Sequence, residues 1–498
     1  MRLRRILAVF FCLVTIPPSP FAQTTAPDLV LEGKVSGPQN KTYFEVPFEV
    51  PAGIHRISVD FSYTGKEQKT TLDLGIADPE RFRGNSGGNK RHFTIGEADA
   101  TPSYLPGAIP AGRWKLLVSV PNIRPDETAA YRAEVRFNDK REDEGFALAP
   151  LAEGKRWYRG DLHMHTAHSD GSCASQSGKS VPCPVFFTAE SATTRGLDFI
   201  AITDHNATSH YEAMRELQPY FDRLLLIPGR EMTTFWGHFN IFGVTQYIDY
   251  RVAKDGRDVN AVLRDVRALG GIASVNHADS PGGEICMGCA WEPRTGIDMS
   301  LFTGVEVING GRIFLSSADF WDRELAAGAQ LTAIGGSDNH NAPAPAGSPG
   351  AIGWPTTVVE ANELSVPAIL EGIRRGRAFI DLTGSRDKVV DLQARDAARG
   401  DSGKENWTLM GGALEGASGD SIAFRVQVAA CPRATIHLFV DGRETPSLGP
   451  LSTGTGDETL PFSWTSDGAR HWLRAEVRDA NGSLMLVSNP IYIRPATH

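Results

Sequence analysis

The sequence predicts an α/β fold in which a barrel of strands and helices lies between two β-sandwich domains. Three observations lead to this prediction. Strand-like and helix-like segments alternate over residues 157–385, which is typical of parallel βα units. Short strand-like runs split by Gly, Pro and Asn fill residues 24–140 and 386–498 instead. Eight of the thirteen histidines lie between His163 and His340, so the central region is where we expect chemistry.

Residues 1–23 have the pattern of a signal peptide. The start, Met1–Arg5, is basic, the run Ile6–Ile16 is apolar, and a cleavage point follows near Ala22. Eleven apolar residues are too few to cross roughly 30 Å of hydrocarbon. We therefore expect an exported protein, periplasmic or secreted, without a membrane span.

The charge excludes one class of partner, and the cysteines suggest disulfides. The formal net charge is −9 at pH 7, which leaves no general basic surface for nucleic acid. Because disulfides persist outside the cytoplasm, we expect local disulfides between Cys173 and Cys183 and between Cys286 and Cys289. Cys431 is then left without a disulfide partner. The alternative, that Cys286 and Cys289 form half of a zinc ribbon, lacks a second Cys-x-x-Cys.

The N-terminal region, residues 24–140, is predicted to be an antiparallel sandwich. Alternating runs predict strands at Tyr43–Val50, Ile54–Tyr63, Thr71–Ile76, Trp114–Val120 and Tyr131–Phe137. No catalytic constellation is visible there, so a structural prop is the favoured role, and docking of a glycan or a partner is the alternative. Residues 141–156 are predicted to be a linker.

The central region, residues 157–385, is predicted to be a (β/α) barrel with six to seven units. Apolar periodicity predicts helices at Val185–Arg195, Ser209–Tyr220, Asp258–Leu269, Ser316–Ala327 and Ser365–Arg375. Buried-strand patterns precede or separate them at 161–165, 197–203, 224–230, 236–242, 271–276 and 332–337. Because parallel barrels carry their chemistry at the carboxyl ends of the strands, side chains at those ends are expected to meet.

Ligand-type residues stand at or just after these strands. His163 and His165 are two apart and are expected to project from the same face of a short strand. The others are Asp170, Asp204, His205, Glu231, His238, His277, Asp338 and His340. Such a mixture of imidazoles and carboxylates suits borderline cations such as Zn²⁺ and Mn²⁺.

The C-terminal region, residues 386–498, returns to strands. They are predicted at Ala423–Ala429, Thr435–Val440, Trp472–Arg478 and Leu484–Ile493. A second small β-sandwich without site residues is expected.

Five motifs resemble, in this order, those of the polymerase and histidinol phosphatase (PHP) superfamily. They are His163-x-His165-Thr-x-x-Ser-Asp170-Gly, Thr203-Asp204-His205, Gly229-x-Glu231, His277 and Ser337-Asp338-x-His340. The flanking β-domains and the segment Glu371–Phe379 are similar to the secreted, carbaryl-hydrolase-like branch. The resemblance implies a distorted (β/α)7 PHP-type barrel, two or three divalent metal ions (Zn²⁺, Mn²⁺ or Fe²⁺) and hydrolysis of phosphate esters.

The resemblance also implies how the ligands are shared. One ion would take His163, His165, Glu231 and Asp338. Glu231 would bridge to a second ion held by His238 and His277. A third would take Asp170, His205 and His340.

Two cations that share Glu231 can lower the pKa of a bound water from about 16 towards neutrality, and this hydroxide is the expected nucleophile. Glu231, His340 and Asp204 are therefore the catalytic candidates. Asp204, next to His205, either fixes an imidazole or caps a helix.

Residues beside the motifs suggest two kinds of substrate. Arg230, Arg312, Asn206 and His210 could bind an anionic phosphate, and Phe235, Trp236, Trp291 and Trp354 could line an aryl pocket. A phosphoesterase acting on a small molecule is the main hypothesis. Hydrolysis of carboxylic or carbamic esters of aryl compounds is the alternative, and a non-catalytic metal- or glycan-binding protein is a third reading.

Overall fold

The computed structural model describes a mixed α/β chain that is rich in strands, over residues 26–87, 90–138, 150–293, 296–311, 315–397 and 407–496. The predicted signal peptide, residues 141–149 of the predicted linker, and Arg312 lie outside the described residues. Among the helices described, none is both long and apolar enough to cross a membrane.

The N-terminal strands form two antiparallel sheets. They are β1 (Leu29–Ser36), β2 (Tyr43–Val50), β3 (Arg56–Tyr63), β4 (Thr71–Ala77), β5 (Phe82–Asn85), β6 (His92–Gly96), β7 (Gly112–Asn122) and β8 (Thr128–Phe137). The sheet orders are β1-β8-β3-β6 and β2-β7-β4-β5. Burial alternates along β7 and β8, so each strand turns one apolar face to a common core that contains Trp114.

The central region holds the described α-helices, the first part of a closed barrel and a separate two-stranded sheet. Its strands are β9 (Glu153–Asp161), β10 (Ser172–Ala174), β11 (Ser180–Pro182), β12 (Phe199–Ile202), β13 (Leu225–Thr234), β14 (Gly237–Phe242), β15 (Ile272–Val275), β16 (Gly304–Asn309), β17 (Leu315–Ser316), β18 (Thr332–Gly336), β19 (Thr356–Glu363) and β20 (Ala378–Asp381). The helices are α1 (Val185–Thr194), α2 (His210–Leu217), α3 (Val259–Ala268), α4 (Ala318–Ala327) and α5 (Val366–Arg374).

The barrel is mixed rather than the uniformly parallel barrel predicted. Strands β9, β12 and β13 are parallel neighbours, and so are β15, β16 and β18. Strand β14, however, pairs antiparallel with both β13 and β15, and β19 pairs antiparallel with β9. The physical reason is the connection: only Phe235 and Trp236 separate β13 from β14, whereas a parallel crossover needs about a dozen residues.

The predicted helices are present, with ends within a few residues. The start of α5 follows the predicted chemistry, because the Ser365 side chain accepts a hydrogen bond from Ala368 N at 3.3 Å and Pro367 lies in the first turn. At the start of α3, the Asp258 side chain likewise accepts a hydrogen bond from Ala261 N, at 2.7 Å. The predicted linker is partly strand, because β9 already begins at Glu153.

The C-terminal strands form one separate sheet and extend the central one. They are β21 (Val389–Asp396), β22 (Thr408–Leu409), β23 (Ala413–Gly416), β24 (Ser421–Ala429), β25 (Thr435–Val440), β26 (Arg443–Glu444), β27 (Leu451–Ser452), β28 (Glu458–Thr465), β29 (His471–Arg478), β30 (Leu484–Ser488) and β31 (Ile491–Pro495). The separate sheet has the order β22-β21-β24-β28. Strand β30 pairs with β20, so the remaining strands continue the barrel sheet.

A buried ionic cluster joins the N-terminal sheets to the barrel. Asp99 is fully buried and binds Arg56 at 2.5 Å and also the Arg215 side chain of α2. Burial alone would raise the pKa of Asp99, but the charges of Arg215 and Arg56 outweigh it and lower the pKa.

The cysteines follow one of the two disulfide predictions. Cys286 and Cys289 are disulfide-bonded, and Cys431 is a buried free thiol, as predicted. The predicted disulfide between Cys173 and Cys183 is wrong, because both are free buried thiols. In the β10–β11 hairpin Cys173 is paired with Val181, so Cys183 is diagonal to it rather than directly opposite.

Candidate metal centre

All nine predicted metal ligands come together at one end of the barrel. His163 and His165 follow β9, His205 follows β12, His277 follows β15, and Asp338 and His340 follow β18. Overlapping groups of their ligand atoms lie within 4.8 Å of one another. The prediction that strand ends deliver these residues therefore describes the arrangement, although the sheet is not uniformly parallel.

The first two histidines lie just beyond a strand rather than within one. β9 ends at Asp161, and the following chain makes only an isolated parallel bridge between Met164 and Asn339. The buried Asp161 carboxylate accepts hydrogen bonds from His163 N at 3.2 Å, Ser337 N at 3.0 Å and Gly353 N at 2.7 Å. It thus ties the end of β9 to the end of β18.

Glu231 lies at the centre of the cluster. The first half of β13 pairs with β12, and the second half runs on into the hairpin with β14, which brings back His238. Glu231 Oε1 is 3.5 Å from His163 Nε2, 3.3 Å from His238 Nδ1 and 3.3 Å from His277 Nε2. Asn276 Nδ2 donates to the same oxygen at 2.9 Å. A carboxylate in this position can bridge two ions.

Asp338 completes a group with the first two histidines. Its Oδ1 lies 3.3 Å from His163 Nε2 and 3.3 Å from His165 Nε2. Asp338 and His277 have φ angles of 51° and 29°, a region that residues with a Cβ rarely occupy. The backbone at both ligands is therefore strained.

A further group lies towards solvent. Asp170 Oδ1 is 3.4 Å from His340 Nε2, 3.6 Å from His205 Nε2 and 3.9 Å from His165 Nδ1. The rings of His205 and His340 stack on the His165 ring at centroid distances of 4.3 and 4.1 Å. The Asp170 side chain is 59% exposed, so this is the open side of the cluster.

Unpartnered buried atoms show that the cluster fits divalent ions. Four ring nitrogens have no hydrogen-bond partner: His163 Nε2, His165 Nε2, His238 Nε2 and His277 Nδ1. Buried polar atoms are nearly always paired, because an unpaired one costs about 1–3 kcal/mol. Four such nitrogens in one cluster of imidazoles and carboxylates are what metal ligands look like without the metal.

The local electrostatics favour the ligand forms of His165, Glu231 and Asp338. Burial lowers the pKa of His165 to about 4, so its imidazole is neutral at pH 7. Burial would raise the pKa values of Glu231 and Asp338, but the neighbouring histidines, His163 first, lower both well below the usual range. Both side chains are therefore carboxylates.

Glu306 is a functional residue that the sequence analysis missed. It is 1% exposed and lies on β16, next to β15 and β18, the strands that lead to His277 and Asp338. Its carboxylate binds His163 Nδ1 at 2.9 Å and accepts from His277 N at 3.1 Å and from Asn309 Nδ2 at 2.9 Å. A carboxylate on the far nitrogen fixes which nitrogen of the ring faces a metal. The signal was a glutamate inside the otherwise apolar run Gly304–Ile308.

Asp204 acts on His165 through a turn. It accepts hydrogen bonds from Thr166 N at 2.8 Å, Thr166 Oγ1 at 2.6 Å and Ser169 Oγ at 2.6 Å. Ser169 Oγ is also 3.4 Å from His165 Nδ1. The alternative that Asp204 caps a helix is wrong, because α2 begins at His210 with Ser209 as its N-cap.

The described residues predicted to bind substrate point elsewhere. Arg230 is 1% exposed and donates to Gln246 O at 2.7 Å, because neighbouring residues of a strand alternate and Arg230 faces away from Glu231. His210 Nε2 binds Gly229 O at 2.9 Å. Asn206 exchanges two hydrogen bonds with Thr233. His210 and Asn206 therefore hydrogen-bond β13 on either side of Glu231, and Arg230 hydrogen-bonds the chain that follows β14.

A cavity of about 990 Å³ opens onto the cluster. Asp170, His277, Asp338 and His340 form part of its wall. The rest includes Ile285, Cys286, Pro343, Pro345 and Pro349, and the described lining contains no lysine or arginine. None of the four predicted pocket aromatics belongs to this described lining, and Trp291 packs edge-on against Phe239 and Phe302 instead.

The sequence matches no protein-family model and no curated protein. Among solved structures, the chain is similar to a two-domain protein from Bacteroides vulgatus ATCC 8482 containing a predicted PHP-like metal-dependent phosphoesterase, with 16% identity over 69% of this chain and 97% of that chain and a TM-score of 0.37. PsfC from Pseudomonas syringae PB-5123 is 16% identical over 41% of this chain and 83% of that chain, with a TM-score of 0.29. Scores this low assign neither a family nor an activity.

Proposed function

We propose that this chain is a multinuclear metal-dependent hydrolase of the PHP type, and most specifically a phosphoesterase. One observation carries the proposal. Nine predicted imidazole and carboxylate ligands, with four unpartnered buried ring nitrogens among them, come together beside a cavity large enough for a small molecule, and four of the nine line it.

The chain's own residues have three roles in this proposal. Glu231, at the centre, would be shared between ions, and the three groups of ligands described above would hold two or three of them. Bound ions supply Lewis acidity and lower the pKa of a coordinated water. Glu306 and Asp204 orient His163 and His165, respectively, and so act as positioning residues. His340 and Asp170 lie on the exposed side, where substrate would enter.

Phosphate esters are the favoured substrates because the cluster offers several adjacent cation sites to the oxygens of one phosphoryl group. The described cavity lining contains no guanidinium or ammonium group that could bind these phosphoryl oxygens in place of the ions. One observation favours a second candidate, hydrolysis of a carboxylic or carbamic aryl ester. Beyond the predicted ligands, the cavity wall contains Ile285 and four prolines, which suit an apolar group of the substrate.

We also propose that the protein works outside the cytoplasm. The basic and apolar N-terminal segment supports this, as does the Cys286–Cys289 disulfide, since disulfides persist in oxidising compartments.

A substrate panel tests the proposal. Mature protein loaded with Mn²⁺ or Zn²⁺ is assayed with nitrophenyl phosphate, bis-nitrophenyl phosphate, naphthyl acetate and naphthyl methylcarbamate. Turnover of a phosphate ester that Glu231→Gln abolishes and His437→Asn, a control on β25, leaves intact is the expected result. Turnover of only the acetate or carbamate would replace the phosphoesterase with the second candidate. Metal binding without any turnover would indicate a binding protein.

A further inference from the structure

A disulfide loop covers the part of the cluster that contains His238 and His277. The sulfur of Cys289 and one ring nitrogen each of His238 and His277 all lie within 4.8 Å of one another. Cys289 is 6% exposed, and both histidines are buried as well. A sulfur thus stands beside two imidazoles that the proposed function gives to the second ion.

The backbone holds this loop against the histidines. A Cβ built on Gly288 would lie 2.3 Å from Thr234 O and 3.3 Å from His238 Nε2, so the loop packs directly on the β13–β14 hairpin. Beyond the loop, Trp291 N donates to Ala278 O at 3.1 Å and Glu292 N donates to Trp236 O at 2.9 Å. The position of Cys289 beside His238 is therefore built into the fold.

The ring nitrogens that face Glu231 are His238 Nδ1 and His277 Nε2, each 3.3 Å from Glu231 Oε1. A disulfide sulfur is a poor metal ligand, whereas a cysteine thiolate is among the best for Zn²⁺ and for other borderline or soft cations. The chemistry of the site therefore depends on the oxidation state of the loop.

We propose that Cys289 is a redox-dependent metal ligand. When the Cys286–Cys289 disulfide is reduced, the Cys289 thiolate joins His238 and His277 on the second ion, and when the disulfide is closed it does not. This inference rests on metal binding at His238 and His277 in the proposed function.

The exchange that opens the loop is balanced by a dithiol reductant. Both cysteines line the cavity, but Cys286 is partly exposed and Cys289 is buried, so a thiolate of the reductant attacks the more accessible Cys286 sulfur and Cys289 leaves as a thiolate. The second thiol of the reductant then attacks the mixed disulfide and releases Cys286. Two electrons pass to the protein cysteines, and the reductant becomes a disulfide.

The consequence is a change in the number of protein ligands. His238, His277 and the bridging Glu231 make three, which is typical of catalytic zinc sites with an open position. A thiolate would make four, which is typical of closed, structural sites. The closed disulfide keeps the second site open in an oxidising compartment.

Cobalt substitution tests this directly. Metal-free protein is reduced with dithiothreitol, freed of the reductant without air, and loaded with Co²⁺, and the spectrum is compared with that of the oxidised protein. A thiolate-to-cobalt charge-transfer band is expected in the reduced protein and not in the oxidised one. X-ray absorption of the zinc-loaded reduced protein should show one sulfur at about 2.3 Å.

Two matched variants show which cysteine sulfur binds the cobalt. Cys286→Ser leaves Cys289 without its partner and should show the band without any reductant, whereas Cys289→Ser should show none in either state. If cobalt binds to the reduced wild-type protein and to Cys286→Ser but neither shows the thiolate-to-cobalt band, this inference is overturned. The proposed hydrolase would not be affected by that result. An equal band in Cys289→Ser would also overturn this inference. Failure of every form to bind cobalt would remove the proposed function as well.

Discussion

Replacing Glu306 with glutamine should weaken metal binding without removing any proposed ligand. The carboxylate accepts from His277 N and Asn309 Nδ2 with one oxygen and binds His163 Nδ1 with the other. A glutamine has only one acceptor oxygen. If that oxygen keeps its hydrogen bonds from His277 N and Asn309 Nδ2, the amide NH₂ group faces His163 Nδ1. His163 Nδ1 must then accept a hydrogen bond from the amide and cannot carry a proton.

The expected loss of metal affinity follows from the change of the His163 tautomer. A proton forced off Nδ1 of a neutral His163 moves to Nε2, the nitrogen that faces Glu231 and Asp338 at 3.5 and 3.3 Å. That nitrogen is then blocked as a ligand. Loss of such an orienting carboxylate typically costs about 10- to 100-fold in metal affinity, which corresponds to about 1.4–2.8 kcal/mol.

The assay is a Zn²⁺ titration of the metal-free protein in competition with a fluorescent chelator. Glu371→Gln, on the exposed side of α5, is the matched control and should bind zinc like the wild type. An affinity of Glu306→Gln within about twofold of the wild type would refute the reasoning, because the tautomer argument requires about tenfold or more.

Three other outcomes are expected. Asp99→Asn should destabilise the folded chain by about 3–5 kcal/mol at pH 7 in urea unfolding, because the buried Arg56 and the partly buried Arg215 both lose a carboxylate partner. Since the folded pKa of Asp99 is lowered, this difference in the free energy of unfolding is full above about pH 3.9 and disappears as the pH falls through the folded pKa. A pH-independent difference would contradict this reasoning. Gly336→Ala should cost about 1–3 kcal/mol in the same measurement, because its Cβ would lie 2.2 Å from Glu306 Oε1, while Gly296→Ala, in open space, should cost little. Exhaustive chelation should abolish hydrolysis and lower the unfolding temperature, since ions that bind only the folded chain stabilise it; activity that survives chelation would contradict the metal mechanism.

The sequence carried much of this fold in local patterns. The helices follow from apolar periodicity, and Ser365 caps α5 as its type and position indicate. Most predicted strands are also present, because buried runs bounded by Gly and Pro are strong signals. The direction of a strand is not local, however. Only the two-residue connection between β13 and β14 could have shown that they form a hairpin.

The site residues also divide into those that local sequence patterns indicate and those that depend on non-local packing. The ligands are reactive side chains in short motifs, so the sequence could mark them one by one. Arg230 was assigned to substrate because it stands next to Glu231, although alternation along a strand sends it to the opposite face. Cys289 received no role as a ligand, because its approach to His238 depends on how a distant loop packs on the hairpin.

Strand β16 shows most clearly why motifs alone are not enough. It pairs with β15 and with β18, the strands that lead to His277 and Asp338. Both of these ligands have positive φ angles, which cost about 1–3 kcal/mol each unless the surroundings hold them. The holding groups come from β16: Glu306 accepts from His277 N, and Asn309 donates to Asp338 Oδ2 at 3.3 Å. A strand with no proposed ligand of its own therefore fixes the strained ligands on both of its neighbours.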